Sequence, residues 1–179
     1  MNIRAQDNIP IKSTILDESK LSIFGTSNVT DFQCLNKEKF KVETLTHSLT
    51  IDNETVLVSG DTLKLQIDNF DCGRKGINKD FRKTLQSDEY PDIDISLLSF
   101  KTSSDLLEEV NIQISLAGTD KKYKLEFTST YQEDGTIKIE GEQKLAMTDF
   151  NIDPPKALFG LIKVRDELVI KFTLFLKTL

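Results

Sequence analysis

The chain has 179 residues, with 23 Lys and Arg set against 29 Asp and Glu, and a formal charge of −6. That length suits one domain able to bury about two-thirds of its unfolded surface. The two signs are interspersed along the chain, which argues against a nucleic-acid partner, whose phosphates demand a basic stripe, and makes electrostatic docking to anionic headgroups unfavourable.

Residues 1 to about 15 are polar and unpatterned and read as an N-terminal arm, with one domain over 16–179. Their start, MNIRAQDNIPIKS, lacks the apolar centre of a secretory signal, and no apolar run approaches the roughly 20 residues that span a bilayer. Alternating apolar and polar residues then predict strands near 19–34, 38–50, 54–59, 61–70, 92–101, 107–117, 122–132, 135–148 and 164–177, with Gly, Asn and Asp at most joins. The third and fourth read as one strand bent at Gly60, leaving about eight. Eight is the count at which a closed antiparallel sheet encloses side chains or one small ligand, and the short connections predict up-and-down order. The pair Asp134-Gly135 marks a tight hairpin. One helix is expected from Asn78 to about Gln86, capped by Asn78, with Ile77, Phe81 and Leu85 on one apolar face that covers a barrel opening or packs on the sheet.

Catalytic chemistry is hard to assemble from these residues. His47, the single histidine, stands between Thr46 and Ser48 with no ligand cluster and reads as a surface or hydrogen-bonded strand residue. Glu140 and Glu142 share the parity opposite to Ile137, Ile139, Leu145 and Met147, so they are expected to face water. The expectation is a non-enzyme without cofactor or metal.

The inward parity is more informative. It places Leu65, Ile67, Ile95, Leu97, Ile114, Phe127, Ile170 and Phe172 on apolar faces, and on the strand from Ile137 to Met147 it runs through Gly141 and Gln143. Such a lining reads either as an ordinary filled core or, with no Trp and three Tyr, as an apolar channel that Gly141 widens and in which Gln143 meets a polar group or water. A bulge at Gly141 that flips the parity is the competing reading. Between the last two strands, Pro154-Pro155 and Ala157-Leu158-Phe159-Gly160 form a short apolar plug placed at a barrel mouth.

The segment Asp149-Phe150-Asn151-Ile152, then Pro154-Pro155, Leu158-Phe159-Gly160 and Ile162-Lys163-Val164, resembles the C-terminal signature of the YceI-like family, lipocalin-like barrels that bind polyisoprenoid and related lipids. Three more segments fit in order: Gly25-Thr26-Ser27-Asn28-Val29 with Asp31-Phe32 and Cys34; Asp71-Cys72-Gly73 through Asn78-Lys79-Asp80, Leu85 and Tyr90-Pro91; and Leu116-Ala117-Gly118-Thr119 before Lys121-Lys122. The resemblance spans roughly 20 to 176. It departs from the family at Ile77 and Phe81, where relatives often carry Met.

The resemblance implies an all-β, single up-and-down antiparallel barrel that carries or stores a polyisoprenoid, fatty acid or fatty amide. Phe81, Leu158 and Phe159 join the inner-face residues as its expected contacts. It also implies export to the periplasm or cell surface once a signal is removed; otherwise the protein is cytoplasmic. The rival is a filled barrel that binds a protein partner through its loops, and a homodimer is left open. Cys34 and Cys72 lie at strand ends where they reach one rim, either as a disulfide, expected in an exported protein, or as two buried thiols.

Overall fold

A computed structural model describes residues 6–38, 40, 43–52, 54–103, 106–157 and 160–178. Among these the order is β1 (Gln6–Ile15), β2 (Lys20–Ser27), β3 (Asp31–Asn36), β4 (Glu43–Asp52), β5 (Thr55–Gly60), β6 (Leu63–Gln66), a 3-10 turn (Ile67–Asn69), β7 (Phe70–Asp71), α1 (Lys75–Thr84), β8 (Asp92–Ser103), β9 (Leu106–Leu116), β10 (Thr119–Lys124), β11 (Glu126–Tyr131), β12 (Ile137–Ala146), a second 3-10 turn (Met147–Phe150), β13 (Lys156–Ala157) and β14 (Ile162–Thr178). The ladders are all antiparallel, and their inner faces share one apolar core.

β14 organises the sheet. One edge pairs with β12 from Ile137↔Leu176 to Ala146↔Glu167. The other edge pairs first with β2 and then, beyond Leu16 and Ser19, with Ser13–Ile15 of β1. Leu16 N–H donates to the Phe175 carbonyl (2.9 Å) and Ser19 N–H to the Leu16 carbonyl (3.0 Å), so β1 and β2 continue end to end along a single partner. Past them the sheet divides, β2 leading to β3 and β7, and β1 leading to β4, β5 and β8.

This branching corrects the expected up-and-down order. The closed eight-stranded barrel is not formed either. The path runs from β10, which pairs with β9, to β7, which pairs with β3, and off it β11 pairs with β12 but not with β10. These two are one stretch of chain turned at Leu125, whose N–H still donates to the Val110 carbonyl (2.8 Å) before the strand changes partner. The segment read as an arm is, from Gln6, strand β1. The strand expected over 19–34 is split by a turn in which Ser27 Oγ accepts from Thr30 N–H (3.0 Å) and Val29 N–H (3.1 Å).

Other expectations hold. β5 and β6 lie along the same edge of β8 on either side of Gly60. The Asp134-Gly135 hairpin forms, with Gly135 at φ 81°. Asp134 accepts from Thr136 N–H (2.9 Å) and Thr136 Oγ1 (3.0 Å), and these bonds to Thr136 hold its carboxyl below the usual carboxylate range. A depressed native value means stability present above the unfolded pKa and lost as pH falls through the native one. Stability therefore declines as pH drops below about 4, and Asp134→Asn flattens that decline in chemical unfolding measured across pH.

Gly25 on β2 faces Phe32 on β3, and a Cβ there would stand 2.7 Å from Phe32 Cε1. The ring occupies the place the glycine leaves. Gly25→Ala is expected to cost about 1–3 kcal/mol by overpacking, and Phe32→Leu in the same chain recovers part of that loss in urea unfolding.

Candidate functional site: the inner face of the sheet

The inner face is covered differently at its two ends. At one end Leu65, Ile93, Leu116, Leu145, Met147 and Leu168 are buried. The second 3-10 turn closes over them with Phe150 and Ile152, each no more than 2% exposed. Asn151 adopts φ 57°, and its Nδ2 donates to Thr119 Oγ1 (3.1 Å), fastening this turn to β10. Tyr123 stacks near Phe150, and burial together with Asp149 pushes its phenol up to about 12. This end is packed.

The opposite end is less evenly covered, although Ile15, the partner of Leu176 in the register, is buried. Following the registers outward, Leu174, Leu176 and Ile137 are half-buried. Tyr131, opposite Ile137, is 46% exposed. On the other branch the inner face runs through Phe100, half-buried, to Ile51 at 39% and Ile9 at 47%. Since an isolated apolar side chain on the outer surface is ordinary, the informative point is that these lie on the face that lines the core.

The residues read as ligand contacts distribute along this face. Leu65, Ile67 and Ile114 are buried, at 4%, 0% and 1% exposure, and serve as core, Ile114 in the same cross-strand row as Ile95. Ile95, Leu97, Phe127 and Gln143 are half-buried along the middle, beside the buried Ile170 and Phe172. The register between β12 and β14 has no shift from Ile137 to Ala146, so Gly141 and Gln143 do share the inner face and the bulge is excluded. Leu158 and Phe159 lie outside the described residues. Of the plug, Pro155 accepts from Val164 N–H (3.1 Å), close in sequence to the buried Ile152, which places its start at the packed end.

Gly141 requires a correction. A Cβ on it would collide with the Glu126 carbonyl oxygen and stand 2.9 Å from both Phe127 Cα and Phe172 Cζ. The glycine brings β11 and Phe172 close and leaves no added width.

The helix also differs from expectation. α1 begins at Lys75, with Arg74 as its N-cap and no side-chain cap bond. Asn78 lies one turn inside and turns back: its Oδ1 accepts from Cys72 N–H (2.6 Å) and its Nδ2 donates to Asp71 Oδ1 (3.1 Å). Bonds from Gly73 N–H and Asn78, with Lys37 nearby, hold the Asp71 carboxyl below its ordinary range. Phe81 lies against the buried Phe70, with ring centroids 5.7 Å apart, and Leu85 is buried. These contacts are packing. Phe81→Ala is expected to lower stability by about 2–3 kcal/mol in chemical unfolding.

Cys34 and Cys72 form a disulfide, with both residues buried. His47 is buried on the inner face of β4, and its Nε2 lies 3.2 Å from the Asp61 carbonyl oxygen, the hydrogen-bonded strand histidine anticipated above. Sequence reasoning passed over the exposed residues Ile9, Ile51 and Tyr131. Alternation in Ile9, Ile11 and Ile15 was the signal, masked by Pro10.

The fold has solved counterparts. Burkholderia cenocepacia BcnA is 17% identical, with a TM-score of 0.65 over 88% of this chain and 96% of that one. A polyisoprenoid binding domain from Saccharophagus degradans, implicated in plant cell wall breakdown, is 10% identical, with a TM-score of 0.62 over 93% and 97%. The Campylobacter jejuni YCEI protein is 12% identical, with a TM-score of 0.51 over 73% and 79%. No curated protein matches by sequence. The YceI-like domain matches residues 16–176, nearly the whole of the chain from the turn after β1 to the end of β14, and the chain belongs to the YceI-like family.

Proposed function

We propose that this protein binds a long apolar lipid along the inner face of its sheet and carries or stores it without chemical change. The observation that carries this reading is the contrast between the two ends of an apolar face: one is buried throughout, and the other, beyond the buried Ile15 and Ile139, passes half-buried Ile137, Leu174 and Leu176 and ends in exposed Ile9, Ile51 and Tyr131. An elongated apolar molecule seated there removes its own surface and this lining from water, at about 25 cal/mol per Å². The similar fold of a protein described as a polyisoprenoid binding domain supports the class of ligand. The lipocalin-like barrel enclosing such a ligand belongs to this reading.

The disulfide favours an oxidising compartment such as the periplasm. Among the described residues no helix is long and apolar enough to cross a membrane. Organic extraction of the purified protein followed by mass spectrometry tests the reading. A stoichiometric long-chain lipid is expected. Extracts free of lipid, together with no binding of long-chain probes, favour a filled sheet that engages partners through its loops.

A further inference from the structure

Gln143 sits in a cross-strand row with Ile170, Ile23 and Cys34, which are 7%, 4% and 0% exposed. Its inner-face neighbours on β12 are Gly141 and Leu145. None of these side chains offers a hydrogen-bond donor, Cys34 being in the disulfide. The two ends of the Gln143 amide are not equivalent. Nε2 donates to the Lys144 carbonyl oxygen (2.9 Å), which fixes its orientation, because the reversed amide would set two oxygens against each other. Oε1 is fully covered and, among the described residues, has no hydrogen-bond partner.

A covered acceptor without a donor is the costly kind of polar group, and it specifies its missing complement by sign. We propose that Gln143 selects, among apolar ligands, those carrying a neutral hydrogen-bond donor such as a primary amide or an alcohol. Phe127, half-buried, stands opposite Gly141, one inner-face position from Gln143. Groups that only accept, including a fatty-acid carboxylate at neutral pH, leave Oε1 unpaired and set like charge against it. This rests on the lipid reading above and narrows it.

The test is a matched pair of probes, octadecenamide and its N,N-dimethyl derivative, which keep the same chain and differ in the donor. Affinities are measured by displacement of a fluorescent long-chain probe from the delipidated protein. Wild type is expected to prefer the primary amide by about tenfold. Gln143→Met, whose thioether is only a weak acceptor, brings the ratio close to one, whereas Gln143→Glu, which keeps an acceptor and loses the bond to Lys144, retains a preference for the donor. The wild-type ratio stands even if a variant fails to fold. Equal binding of both probes by wild type overturns the assignment and leaves the lipid reading intact. Binding of neither overturns the lipid reading and the assignment with it.

Discussion

Reduction of the Cys34–Cys72 disulfide lowers the thermal unfolding midpoint by about 8–16 °C. The bond closes a sequence separation of 38 residues. In the chain-entropy description a loop of that length restricts the unfolded chain by about 4 kcal/mol, and a domain of this size shifts by about 2–4 °C per kcal/mol. Both cysteines are buried, so the reduced thiols remain in apolar surroundings and add little further loss. The effect has a local part as well. The bond ties β3 to the corner between β7 and α1, where Asn78 holds Asp71 and Cys72, so amides of α1 exchange faster on reduction than those of β12 and β14. Thermal scans with and without reductant, and the Cys34→Ala/Cys72→Ala double variant, check both parts. An unchanged midpoint would refute the first.

The second large effect is at Gly141. Substitution by Phe prevents folding, and substitution by Ala alone costs about 3 kcal/mol or more, at the upper end of overpacking, because a backbone oxygen cannot swing aside as a side chain does. The Glu126 carbonyl is that oxygen, and it belongs to the ladder between β11 and β12. Equilibrium urea unfolding of Gly141→Ala, and expression of Gly141→Phe in soluble form, measure it. A Gly141→Phe variant that folds and loses its lipid would restore the open-channel role that the geometry removes.

Gly141 shows where sequence reasoning stops. Period-two alternation placed it on the inner face correctly, since face is a property of the strand's own pattern. How near the next backbone comes is a property of the pairing, and no local signal encodes it. The same division explains β1. Ile9, Ile11 and Ile15 alternate, but Pro10 speaks against a paired strand. The structure tolerates it because β14 reaches only Ser13–Ile15, so at Pro10 the strand has one free edge and the missing N–H removes no bond there. The segments β8, β9, β12 and β14 were legible from alternation within one or a few residues at either end, whereas the branching at β14 depends on contacts between residues more than a hundred positions apart.

The site divides in the same way. Phe127, Gln143, Ile170 and Phe172 were placed on the inner face by parity, and Ile67 and Ile114 share it too, but only the burial of these two in the assembled sheet reveals that they serve as core. Asn78 was read as the cap of a helix that in fact starts three residues earlier. Its actual work, fastening the disulfide corner, needed the turn at Asp71–Gly73 to be seen.

The central position of β14 bears on how the protein is made. It is the partner of β1, β2, β12 and β13, yet it is synthesised after all of them. Until Ile162–Thr178 emerges, β2 and β12 expose bare edges, and the core between them has no wall. Closure then depends on pairing of great sequence separation, the slow class of folding step. A nascent chain of this design stays uncommitted until it is nearly complete, a state that chaperones must shield from aggregation and that a secretion channel able to pass only unfolded polypeptide would find ready-made.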